Sequence, residues 1–166
     1  VPAGIGVYGT TGRLEKGYRL FGAELEGEYT PIEAGLMRPK VKSQGFIGKD
    51  ALVKLREKDP LTTMCTLTVD GHQSANGELR YMLGGEPILS LDGNRIVDAH
   101  GRSSYVTSAG SGPSTGKHIL MTYLPPQYAR EGTSLLVKYF GSQYPVTVAV
   151  AGNGSLFDPD NERIRS

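Results

Sequence analysis

At 166 residues, with 38% apolar and 21% charged side chains, the chain can bury one core with room for a small second unit, and its composition excludes a disordered segment or a fibre. Eighteen basic against seventeen acidic residues leave a formal charge of +1, so no broad electrostatic field is directed at nucleic acid or a membrane surface, and an anionic ligand must be held by local groups. A single cysteine, Cys65, excludes an internal disulfide and a multi-cysteine metal site and fits a reducing compartment.

No run approaches the roughly 20 apolar residues of a membrane span. The start, Val1-Pro2-Ala3-Gly4-Ile5-Gly6, has no basic segment followed by an apolar one and so no recognisable signal peptide. It carries no methionine and reads as a Gly-rich loop, as expected of a piece of something longer. Glu15, between Arg13 and Lys16, then reads as the end of a charged helix that Gly17 terminates. Thr30-Pro31-Ile32-Glu33 fits a helix start: threonine as N-cap, proline at the first helical position and glutamate three after the cap, closing a capping box. Gly35 and Pro39 limit that helix to a turn or two. From Lys49 to Lys58, Ala51, Leu52 and Leu55 share one face, giving a short amphipathic helix stopped before Pro60. The Asp59-Pro60 step is the best domain junction, dividing 1–58 from 59–166.

From residue 61 onward glycines punctuate β-branched runs. Leu61 to Val69 alternates, with Cys65, Leu67 and Val69 on one face and Thr66 and Thr68 on the other, the period of a half-buried strand. Further strands are expected over Leu79–Leu83, Pro87–Leu91, Arg95–Ala99, Ser104–Ser108, His118–Leu124, Ser134–Phe140 and Tyr144–Val150. Asn76-Gly77, Asp92-Gly93, Gly141-Ser142 and Gly152-Asn153-Gly154 separate them with residues that tolerate positive φ. Pro145 cannot donate to a ladder, which places it at a strand start or at an edge. About seven short antiparallel strands are best satisfied by closing into a barrel, so the fold class is α+β, with residues 59 to 158 a compact barrel or jelly-roll-like module.

Three segments together carry a resemblance: Arg13-Leu14-Glu15-Lys16-Gly17-Tyr18-Arg19-Leu20-Phe21-Gly22, Thr30-Pro31-Ile32-Glu33-Ala34-Gly35-Leu36 and Gly45-Phe46-Ile47-Gly48-Lys49-Asp50-Ala51-Leu52. This pattern resembles the signature of the aminomethyltransferase family, the folate-binding T-protein of glycine cleavage and its relatives. Its form looks closer to the folate domains fused to flavin-dependent dimethylglycine and sarcosine dehydrogenases or oxidases. The resemblance covers nearly the whole chain: 1–58 look like the end of the folate-binding core and 59–166 like the C-terminal barrel. It implies one-carbon transfer, in which an aminomethyl group on a lipoyl arm, or an iminium made by flavin oxidation, passes its carbon to tetrahydrofolate. FAD would belong only to a missing N-terminal domain. The implied partners are folate, the missing half, and a fused or associated flavin or lipoyl-carrier protein. The implied location is bacterial cytoplasm or mitochondrial matrix. The aspartate that assists the step in the family lies in the N-terminal half, so no catalytic residue is assigned and the chain is expected to be inactive alone. Two alternatives on the same fold are a folate-dependent methyltransferase of the demethylase type and a non-catalytic relative; a plain β-barrel interaction module is a third.

Within that resemblance Glu15 maps onto the glutamate that binds the pterin. A carboxylate can accept two parallel hydrogen bonds from the amino and ring N–H groups of an aminopyrimidone; the bland alternative is a surface ion pair with Arg13 or Lys16. Tyr8 lies where relatives often have aromatic residues near the pterin, or else packs beside a glycine turn. A basic residue after the Glu-Ala-Gly-Leu motif meets the folate tail in the family, and Arg38, Lys40 and Lys42 all stand in that window, Arg38 being taken as the candidate. In the last segment Arg163 is the candidate contact at the folate entrance, against a frayed basic tail.

Other patterns fail on spacing. Gly110-Ser111-Gly112-Pro113-Ser114-Thr115-Gly116-Lys117 has five residues between Gly110 and Gly116, three between Gly112 and Gly116, and His118 after the lysine, so it is not a phosphate loop; in the family it is a barrel loop. His72, His100 and His118 lie far apart without a partner at metal-ligand spacing. Asp98-Ala99-His100 lacks a nucleophile elbow. Cys65 reads as a small core residue.

Overall fold

The computed structural model describes residues 4–36 and 41–165. Six antiparallel strands form one sheet: β1 (Thr63–Val69), β2 (Ile88–Leu89), β3 (Val106–Gly112), β4 (Lys117–Leu124), β5 (Ser134–Tyr139) and β6 (Ser142–Ala151), in the order β2-β5-β6-β1-β4-β3. The sheet curls until its outermost strands meet through a single bridge, Pro87 to Tyr105. The amide of Ile88 donates to the Ser104 carbonyl (3.1 Å) and that of Val106 to the Glu86 carbonyl (2.8 Å). Closure of this kind satisfies edge groups that would otherwise face water.

Alternation sorts the side chains between two buried faces. Cys65, Leu67, Leu120, Leu124, Leu135, Val137, Val146 and Val148 fill the barrel interior. On the outer face of β1 and β4, Met64, Ile119, Met121 and Tyr123 form a second core with Leu14 and Ala34. The expected half-buried β1 is therefore buried on both faces, because residues 4–36, through Leu14 and Ala34, cover its outer side; even Thr66 is buried.

Two expected strands, Leu79–Leu83 and Arg95–Ala99, are reduced to isolated bridges. Carboxylates divert their backbone: Glu86 accepts from the amides of Leu83 and Gly84, and Asp98 accepts from those of His100 and Arg102, turning the chain before a ladder can extend. Pro145 lies inside β6, a central strand, rather than at a strand start. Its ring nitrogen faces the side where β1 has already ended, and its carbonyl accepts from the amide of Asp70 (3.0 Å).

The N-terminal stretch is helical rather than a loop. A π-helical turn (Val7–Thr11) runs into α1 (Gly12–Glu15), with the Thr10 hydroxyl donating to the Gly6 carbonyl. Gly17, at φ 70°, closes α1: its amide donates to Leu14 and that of Tyr18 to Arg13, the paired bonds of a Schellman cap. Gly35 repeats the pattern after the turn at 31–35, which makes one turn rather than a longer helix. Two further helices are α2 (Lys49–Arg56), which buries no residue, and α3 (Glu162–Arg165). Among the described residues no helix is long and apolar enough to cross a membrane.

Candidate functional site

The glycine-rich hairpin has a packing reason. Gly110 and Gly112 point the same way from β3, and the helical segment lies directly on them. A Cβ at Gly110 would come within 2.6 Å of the Thr10 carbonyl and 2.8 Å of Leu14, and one at Gly112 within 2.7 Å of Glu15 Oε1. The segment that resembled a phosphate loop is thus a floor without side chains, on which α1 rests. Its turn, begun by Pro113 and closed by the Gly116 amide donating to the Gly112 carbonyl (2.8 Å), presents two successive amides to Glu15.

Glu15 is only 4% exposed. Its Oε1 accepts from the amides of Ser114 (2.7 Å) and Thr115 (2.8 Å), and its own carbonyl accepts from Leu156 (3.0 Å) and Phe157 (3.1 Å). Three remote segments, namely α1, the β3–β4 turn and the C-terminal tail, meet on this residue. Its two expected salt partners are engaged elsewhere: Arg13 pairs with Glu24 (3.1 Å) and Lys16 with Asp158 (3.3 Å).

Sequence reasoning missed the charges buried around this junction. Glu24 is fully buried and accepts from Arg13, from the Leu20 amide (2.9 Å) and from the Thr107 hydroxyl (2.7 Å). Arg13 also donates to Ser108 Oγ (2.7 Å). Successive strand residues ordinarily face opposite sides, but a register shift between Val106 and Ser108 lets Thr107 and Ser108 both reach outward. Nearby, Tyr29 stacks on Tyr123 with centroids 3.6 Å apart, and the Arg102 guanidinium covers the Tyr29 ring at 4.5 Å. Arg102 bridges Glu33 and Asp98, each at 2.6 Å.

Glu33 forms the expected capping box with Thr30, whose amide donates to Oε2 (2.8 Å), while Thr62 donates to Oε1 (2.8 Å). Burial opposes ionisation of Glu33, but donation from the Thr30 amide, Thr62 and Arg102 outweighs it and holds the carboxyl below its ordinary value. The signal for Arg102, a lone arginine in a Gly101-Arg102-Ser103 turn, carries no partner information in sequence.

Two clefts flank Tyr18 and Arg19. One, of about 480 Å³, is lined by Lys16, Tyr18, Arg19, Leu25, Leu36, Asn153, Ser155, Pro159 and Asn161 among others. The other, of about 450 Å³, is lined by Val7, Tyr8, Arg13 and Leu20 with Tyr18 and Arg19. Tyr8 is 76% exposed and lines the second cleft, while the tail lines the first, so Tyr8 and the tail stand on opposite sides of Tyr18–Arg19. Arg163 covers the Phe157 ring at 5.0 Å and so belongs to the tail turn that touches Glu15. Arg38 and Lys40 lie outside the described residues; Lys42 is described and exposed. Asp98 is committed to its turn and to Arg102 rather than to a nucleophile. Among the described residues no group of three or more His, Cys, Asp or Glu is placed to hold a metal. Burial pushes the Cys65 thiol up to about 12, in keeping with an inert core residue.

Comparison with known proteins agrees with this architecture. Residues 64–152 match the family model of the glycine cleavage T-protein C-terminal barrel domain. The aminomethyltransferase of Saccharopolyspora erythraea is 33% identical over 150 residues, which are 89% of this chain and 36% of that protein. That of Exiguobacterium sibiricum is 32% identical over 136 residues, covering 80% of this chain and 33% of the relative. The crystal structure of glycine cleavage system aminomethyltransferase T from Bartonella henselae superposes with a TM-score of 0.69 at 27% identity, covering 83% of this chain and 36% of that one. The chain spans little more than a third of the length of the relatives it matches. With its six-stranded curled sheet and the signature laid across it, the chain belongs to the aminomethyltransferase family of glycine cleavage T-proteins and carries that family's C-terminal barrel domain.

Proposed function

We propose that this chain supplies one side of a tetrahydrofolate site for aminomethyl transfer, with Glu15 as the group that meets the pterin. The observation that carries the reading is the position of Glu15: a buried carboxylate at the junction of signature, hairpin and tail, whose chain neighbour Lys16, though not Glu15 itself, lines a cleft of about 480 Å³ that mixes apolar walls (Leu25, Leu36, Pro159) with polar ones (Lys16, Arg19, Asn153, Ser155, Asn161). Size and lining fit a flat heterocycle with polar edges. Tetrahydrofolate, when bound, supplies the nitrogens that take up the one-carbon unit.

The chain's own residues would do the holding. Oε1 of Glu15 is occupied by two amides, so the ligand's donors would meet the carboxylate through its other oxygen rather than through a two-oxygen fork. Tyr18 and Arg19 separate the two clefts, and Arg163 steadies the tail through Phe157. Positioning of the acceptor and exclusion of water are the contributions expected from such a surface. Residues 1–58 and 59–166 are read as the end of a folate-binding core and its barrel. The specific likeness to the dimethylglycine and sarcosine type is carried by the Arg-Leu-Glu-Lys-Gly-Tyr-Arg form of the signature.

Isothermal titration tests the reading, with tetrahydrofolate added to the chain joined to the N-terminal part of an aminomethyltransferase relative. Wild type should bind and Glu15→Ala should lose roughly tenfold to a hundredfold in affinity, the worth of one hydrogen bond to a charged group. Equal binding by both, or by neither, overturns the assignment.

A further inference from the structure

We infer that residues 71–85 form a strap across one end of the barrel, latched by a neutral His118 and released when that ring takes up a proton. The strap leaves the end of β1 and runs to β2, and none of its residues lines either cleft beside Tyr18. It folds on itself: the Arg80 amide donates to the His72 carbonyl (2.7 Å), the Ser74 amide donates to the Glu78 carbonyl (2.8 Å), and Asn76-Gly77 makes the tip. Met82, 1% exposed, is its one side chain in the barrel interior. Glycines bound it at both ends, Gly71 after β1 and then Gly84 and Gly85 at φ 120° and 88°, so the backbone can swing there at little steric cost.

Three rings close the latch. His118 stands where β1 ends, since its neighbour Ile119 pairs with Thr68. The His72 ring lies parallel to it at 6.0 Å, and the Tyr81 ring is perpendicular to both, 4.9 Å from His72 and 5.3 Å from His118. His72 is itself fixed to the strap, its Nδ1 lying 3.0 Å from the Arg80 carbonyl. His118 is 6% exposed; its Nδ1 lies 3.4 Å from Ser111 Oγ, and its Nε2 is buried with no hydrogen-bond partner among the described residues. A proton there would bury a charge and an N–H without an acceptor, beside a second imidazole.

The groups that face His118 come from three places: His72 and Tyr81 from the strap, Glu86 from the segment after it, and the uncharged Ser111 from β3. Its strand neighbour Lys117 is exposed. Burial first and His72 next hold the imidazole below its ordinary 6.5, while the Met82 carbonyl and Glu86 favour the charged form without outweighing them. Glu86 is committed to the amides of Leu83 and Gly84, at 2.7 and 2.9 Å. The closed strap therefore prefers the neutral ring. It is held most firmly above the ordinary 6.5 and loosens as pH falls below it, by up to about tenfold in the opening equilibrium per pH unit for one proton.

Amide exchange on the chain, corrected for the intrinsic pH dependence of exchange, tests this. Between about pH 7.5 and 5.5 the amides of Ser74 and Arg80 should lose roughly threefold to tenfold in protection, and at both values they should exchange well ahead of the β1–β4 ladder. His118→Gln, which has no ring to ionise, should abolish the pH response. His72→Phe keeps a ring in place and leaves His118 to titrate, so it should retain the response. Strap protection that does not change with pH overturns the inference, as do strap amides that exchange only in step with the ladder. A response that survives His118→Gln, or disappears in His72→Phe, overturns the role of His118. If either variant fails to fold, the wild-type comparison alone still decides the matter.

Discussion

The two buried faces of this sheet are built on different physics. The barrel interior is almost wholly aliphatic, and any well-packed set of similar volume would serve it. The outer face, where residues 4–36 lie on β1, β3 and β4, buries Glu15, Glu24 and Glu33 with Arg13 and much of Arg102 among its apolar contacts. Apolar packing holds the barrel closed, whereas hydrogen-bonded charges fix one orientation of the signature on it, because each buried carboxylate is satisfied by donors in only one register. The lesson is that stability and orientation are assigned to opposite sides of the same strands.

The largest expected effect tests that division directly. Glu24→Ala leaves the Arg13 guanidinium buried without its carboxylate and should cost about 3 to 5 kcal/mol in denaturant unfolding. Leu120→Ala removes one interior side chain and should cost about 2 to 5 kcal/mol. The distinguishing measurement is amide exchange. Leu120→Ala should loosen the strands generally, whereas Glu24→Ala should expose residues 5–36 first; a uniform loss of protection in Glu24→Ala would erase the distinction.

Acid separates the faces by a smaller margin. Glu33 on the outer face has its carboxyl held below the ordinary 4.5, so its contribution is present above that pH and is lost as pH falls through the lower folded value. His118, at the interior end of β4, has its imidazole held below the ordinary 6.5, first by burial and then by His72 stacked 6.0 Å away. A neutral base preferred by the fold destabilises as pH drops below 6.5. Urea midpoints should therefore decline in two stages, with His118→Gln flattening the stage that begins as pH falls below about 6.5 and Glu33→Gln flattening the stage below about 4.5. Matching curves for wild type and His118→Gln would refute the first stage.

The smallest effect is at Tyr8. At 76% exposure it holds neither face, so Tyr8→Ala should change stability by less than about 0.5 kcal/mol. A larger change, read from the same denaturation curves, would show that the second cleft is part of the packed outer face.

What could be read from the sequence follows the same line. Period-2 runs identify β1, β4, β5 and β6 because alternation is local. The Thr30–Glu33 capping box and the Gly17 terminus are legible for the same reason: every atom involved lies within a few residues. Glu24 was not legible. It stands in the run Glu24, Glu26, Glu28 with the same local chemistry as the exposed Glu26 and Glu28, and only the bulge at Thr107 selects it for burial. Arg102 was hidden likewise, since both of its carboxylates are specified by folding rather than spacing. Glu15 shows both cases at once: its place at a helix end was readable, but its two amide donors come from a hairpin late in the chain.

The meeting of β2 and β3 through one bridge gives the barrel a seam. Every other adjacent pair is joined along a ladder, and β2 itself contributes two residues to the sheet. Parting the wall at Pro87–Tyr105 would break the backbone bonds Ile88–Ser104, Val106–Glu86 and Gly85–Val106 and leave the β1, β4 and β6 ladders paired. An open form would then be a curled sheet still carrying the signature on β1, β3 and β4, so the wall could breathe without disturbing Glu15.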